Sequence, residues 1–144
     1  MGLLVNIVIA DEEEIEDIAA AEHPVEEWSG IEARDIDTAK LATLHCLLLD
    51  DGYDEALGAY EPVFATDEEV LIVRIPEELV DKLALHEEEA LDQVGEELAA
   101  SEEFEMNGWP VEEVQGLLVE IGELAKLAES QGQAMFVWMH PLRT

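Results

Sequence analysis

The chain has 144 residues, 49% of them hydrophobic, with 37 Asp and Glu against 6 Lys and Arg, a formal net charge of -31. That length suits one domain able to bury roughly two-thirds of its unfolded surface, and the apolar content argues against wholesale disorder. The charge nearly excludes nucleic acid as a partner, since binding it requires cations that replace its counterions, and it disfavours anionic membrane surfaces.

In chain order, "LLVNIVI" at 3–9 is short, apolar and β-branched, and reads as a strand buried on both faces. It lacks the cationic flank and cleavage site of a signal peptide, and Asn6 stands where a myristoylation motif after Gly2 wants Ser or Thr. Asp11 then offers an N-cap with Glu14 three residues on, and the acidic run 12–14 suits the positive end of a helix dipole. Ile15, Ile18 and Ala19 form a narrow apolar stripe, and Pro24 ends that helix near His23. "HPVEEWSGIEAR" is a connector carrying Trp28.

Residues 37–49 form a helix with Asp37 as N-cap; Leu41, Leu44, His45 and Leu48 share one side, and Leu47 and Leu49 widen the stripe. Such a helix buries His45 and Cys46 as core filler, the thiol having no cation near it in sequence to lower its pKa. "DDGYDEALGAYEPVFATDEE" reads as a long loop with one weak helical turn. "VLIVRI" at 70–75 is a second strand, Pro76 opens a helix, and a register shift near His86 breaks the helical stretch that runs to about Ala100. Pro110 opens a further helix whose apolar face is Val114, Leu117, Leu118, Ile121, Leu124 and Leu127; Gly132 is its C′ residue. "AMFVWM" at 134–139 is the third strand. The expected fold is α+β, a single domain over 1–144, with a small three- or four-stranded sheet covered by four to five helices.

"DIDTAKLATLHCLL" is similar to an Asp-x-Asp-Lys…Leu-His-x-Leu-Leu segment of the YfbM-like family of uncharacterised bacterial proteins, matching at Asp35, Asp37, Leu44, His45, Leu47 and Leu48, with Thr38 where the family tends to have lysine. The resemblance implies a compact α+β domain and no activity.

The four histidines are far apart, and no HxH, HxxxH or CxxC spacing points to a transition metal. "DDGYDE" lacks calcium-loop spacing, and no GxSxG, phosphate loop or dinucleotide fingerprint is present, so no cofactor is expected. The ligand-site candidates are Trp28, Asp35, Asp37, His45, Tyr53 and Tyr60, which could line a pocket if the two aromatic connectors fold together over His45. The function expected first is a non-catalytic module for a basic protein partner, with neither nucleic acid nor membrane bound, in the cytoplasm. The alternatives are a small enzyme or ligand-binding protein around His45, and acidity as adaptation to a salt-rich cytoplasm.

Overall fold

A computed structural model describes residues 4–21, 24–34, 36, 38–49, 52–58, 60, 62–67, 70–106 and 108–140, with Arg34, Tyr53 and Glu103 described in backbone only. The fold is α+β, built on one five-stranded antiparallel sheet in the order β2-β1-β5-β4-β3. The strands are β1 (Leu4–Ala10), β2 (Gly30–Arg34), β3 (Pro62–Ala65), β4 (Leu71–Arg74) and β5 (Ala134–His140).

The apolar runs behind β1, β4 and β5 have the character expected of strands covered on both faces. Side chains alternate cleanly. Val5, Ile7, Ile9, Val73, Met135, Val137 and Met139 join the larger core. Leu4, Val8, Ile72, Phe136 and Trp138 join a smaller one on the opposite face. Over the smaller core lie α1 (Ile15–Ala20), entered through a 3-10 turn at Glu12–Glu14, and the single turn α2 (Pro24–Glu27). The Asp11 N–H donates to Glu14 Oε2 at 2.9 Å, which fixes the entry to this helix. Asn6, buried within β1, accepts the Val25 N–H on Oδ1 at 3.2 Å and ties α2 to the sheet.

Over the larger core lies α8 (Val111–Gln131), packed on β1, β2 and β5. Helices α5 (Glu77–Leu85) and α6 (Glu88–Ala99) pack beside it. Gly132 closes α8 in the left-handed region at φ 68, with the Gln133 N–H on the Ala128 carbonyl at 2.9 Å. The break near His86 is real: α5 stops at Leu85, and His86 Nδ1 lies 2.6 Å from the Lys82 carbonyl. Helix α3 (Thr38–Leu49) rests on α4 (Tyr53–Gly58), α5, α6 and the turn α7 (Glu102–Glu105).

Two expectations need correction. The sheet has five strands, not three or four, because two strands sit in stretches taken for connectors. In β2, "GIEAR", only Ile31 and Ala33 face the core while Glu32 is exposed, and β3, "PVFA", is mostly exposed and opens at a proline. Helical segments also outnumber the expected four to five, because α2, α4 and α7, pieces of six residues or fewer, add to the expected α1, α3, α5, α6 and α8. Among the described residues no helix is long and apolar enough to cross a membrane.

Candidate functional site

Helix α3 is apolar on so much of its surface that its few polar side chains must find partners inside the protein. His45 is 4% exposed and Tyr60, in the turn after α4, is 1% exposed. His45 Nδ1 lies 3.1 Å from Tyr60 Oη, and the rings meet edge to face with centroids 5.7 Å apart. Burial pushes the Tyr60 phenol well above its ordinary range, and the adjacent Cys46 thiol adds to the shift. Cys46, expected to be buried, is only half-buried: one residue on from His45, the helix has turned it toward the surface. Further along α3, Lys40 is buried at 3% exposure, its Nζ 5.7 Å from the centroid of Phe104, which itself packs edge to face on Trp109.

Of the residues expected to form a ligand site, His45 and Tyr60 therefore meet, but in the core. Trp28 does not join them; it follows α2 and packs against the core on the opposite face of the sheet. Asp35, Asp37 and the Tyr53 side chain lie outside the described residues. Among the described residues no group of three His, Cys, Asp or Glu side chains is placed to hold a metal ion.

The buried phenol makes a prediction. Unfolded, Tyr60 ionises near pH ~10, whereas in the fold its proton is held to higher pH. The stability this contributes is complete below pH ~10 and is lost as pH rises beyond it. Tyr60→Phe is expected to be about 1 kcal/mol less stable at pH 8, through the lost hydrogen bond, yet to lose less than the parent between pH 9.5 and 11. Urea melts across that range test it; parallel losses in both proteins would show that Tyr60 is not the titrating group.

Among the described residues, clefts open elsewhere, and three of them, none lined by His45 or Tyr60, bear on function. The first, about 520 Å³, lies between β4, α5 and the end of α8. Arg74 Nη1 pairs there with Glu12 Oε1 at 2.6 Å, an exposed pair worth little. Asp81 and Glu129 both line this cleft, and the Glu129 pKa is raised, first by side-chain hydrogen bonding with Asp81, then by partial desolvation, then by the charges of Asp81 and Glu77. The second cleft, about 550 Å³, follows the α5–α6 break and is lined by Lys82, Leu85 and His86 with Glu87 and Glu89.

The third, about 720 Å³, lies at the β2 edge of the sheet. Trp28 and Ile31 line it from the strand side and Leu124 and Leu127 from α8, with Glu26, Glu27, Glu120 and Glu123 around them. The sequence does not show either apolar wall as a surface, because Ile31 lies on a short edge strand and Leu127 continues the apolar stripe of α8.

His45 and Tyr60 are buried, whereas the third cleft brings Trp28, Ile31, Leu124 and Leu127 together with four glutamates. Comparison with known proteins finds no matching family model, no matching curated protein and no matching solved structure.

Proposed function

We propose that this chain is a non-catalytic binding module whose partner is a basic protein met in the cytoplasm. The observation that carries this reading is the excess of 37 carboxylates over 6 cationic side chains, with carboxylates around each of the three clefts. Six cations cannot neutralise such a surface from within the molecule, so a cationic surface approaching it is attracted at long range. The alternative of an enzyme or ligand pocket around His45 is disfavoured by the burial of His45 and Tyr60.

The measurement is the association rate of a cationic protein captured with this chain, followed against salt. Between about 20 and 300 mM NaCl the rate is expected to fall by roughly tenfold or more, with dissociation changing far less. A rate independent of salt would overturn the reading.

A further inference from the structure

Strand β2 closes one side of the sheet, and among the described residues no other strand pairs with its outer edge. The Ile9 N–H donates to the Ser29 carbonyl at 3.0 Å, which sets the alternation along the register Val8↔Gly30, Ile7↔Ile31, Asn6↔Glu32 and Val5↔Ala33. Ile31 and Ala33 therefore turn their backbone groups toward β1, and Glu32 turns its N–H and C=O outward. An open edge of this kind is a template for another strand, and proteins ordinarily blunt it with proline, lysine or a bulge. The opposite edge has such protection: β3 begins at Pro62, and its pairing slips between Pro62 and Phe64. From Gly30 to Arg34, β2 contains neither proline nor lysine.

Beside this edge runs the third cleft. Leu127 is 38% exposed on α8, next to the more buried Leu124, and both face Ile31 and Trp28 across the groove. A strand added outside β2 would place alternate side chains on the same face as Ile31 and Ala33, over Leu127, with flanking positions near Glu27 and Glu123. A second copy of this chain is the wrong occupant, because two bodies of charge -31 repel each other and Glu32 lies exposed on the edge itself.

We propose that the β2 edge and its groove bind an extended, cationic segment of a partner protein, with apolar and basic residues alternating, which joins the sheet as a sixth strand. This deepens the reading of a module for basic proteins and rests on it. The backbone bonds supply a register, the groove between Ile31 and Leu127 takes the apolar side chains, and the glutamates select lysine and arginine.

The test uses the full chain and an acetylated octapeptide of alternating leucine and lysine, with an octalysine peptide as control, titrated at low salt by calorimetry. Two variants report on the site. Glu32→Pro removes an outward-facing donor while leaving the bonds to β1 in place. Leu127→Ser alters the exposed wall of the groove on a different element without adding charge. With each variant shown to be folded by circular dichroism, the alternating peptide is expected to bind either of them about tenfold more weakly than the parent, and octalysine to bind all three proteins alike. Equal binding of the alternating peptide to parent and variants would overturn the edge site while leaving a general acidic surface for basic proteins intact. Failure of both peptides to bind the parent would overturn this inference and the broader reading together.

Discussion

Gly30→Ala is expected to destabilise the protein by about 3 kcal/mol, the upper end of what overpacking a well-filled site costs. A Cβ built on Gly30 falls 2.4 Å from the Ile7 carbonyl oxygen, 2.6 Å from Val8 Cγ1 and 3.0 Å from Val8 Cα. Two of these three neighbours are backbone atoms of the interior strand β1, which also pairs with β5 and cannot withdraw without disturbing that ladder. Strand β2 must therefore move away, and Ile31 and Ala33 lose core contact with it. The same substitution at Gly116, on an exposed part of α8 with nothing within 4 Å of a new Cβ, should stabilise by up to about 1 kcal/mol through helix propensity. Gly95 falls between: its Cβ would meet Gln115 Cγ at 2.7 Å and Gln115 Cα at 3.0 Å, so the gain in propensity on α6 is offset by wedging α6 from α8. Urea melts of the three variants should rank Gly116→Ala above the parent, Gly95→Ala below it and Gly30→Ala lowest. A Gly30→Ala protein as stable as the parent would mean that β2 does not approach β1 this closely.

Gly30 also explains what could and could not be read from the chain. Strands β1, β4 and β5 announce themselves because burial on both faces demands uninterrupted apolar residues. An edge strand needs only one apolar face and tolerates irregular composition, so the Ile31-Glu32-Ala33 alternation is too short to stand out, and a glycine selected for close approach to Ile7 looks like a loop residue. The ends at Asp11 and Gly132 are local chemistry and legible for that reason, and Pro76 and Pro110 mark their helix starts, each at the N-cap, one residue before the helix begins. Site geometry is non-local. His45 and Tyr60 lie fifteen residues apart and meet only because α4 folds back on α3. Trp28 shares their irregular surroundings in sequence, and nothing local separates it from them. Which face of the sheet its connector would cover depends on α2 packing against β1, and that is decided by the tertiary fold.

Raising KCl from about 10 mM to 0.5 M is expected to lift the melting temperature by roughly 10 °C, equivalent to about 3 kcal/mol of repulsion removed at this chain length. At ~10 mM salt the screening length is about 30 Å, so carboxylates across the whole molecule repel; at the higher concentration only near neighbours do. A protein with a net charge of -31 carries this repulsion in its compact state, and expansion relieves it. A stability that goes on rising into molar salt would favour adaptation to a salt-rich cytoplasm, whereas a plateau near physiological ionic strength leaves the charge available for partner binding. Acid should act in the same direction over a limited range. The folded-state pKa of Glu129 is raised, chiefly by its hydrogen bond with Asp81, so the fold holds a proton there that the unfolded chain releases. Its contribution is complete below the ordinary carboxylate pKa of about 4.3 and lost as pH rises through the raised value, so acidifying from neutrality toward that range recovers stability. Glu129→Gln keeps a donor for Asp81 without the charge. It should melt higher than the parent at pH 7, with the difference shrinking as pH falls toward 5. A difference that stays constant over that interval would show that the Asp81–Glu129 pair does not share a proton, and would leave salt screening as the sole relief for this part of the surface.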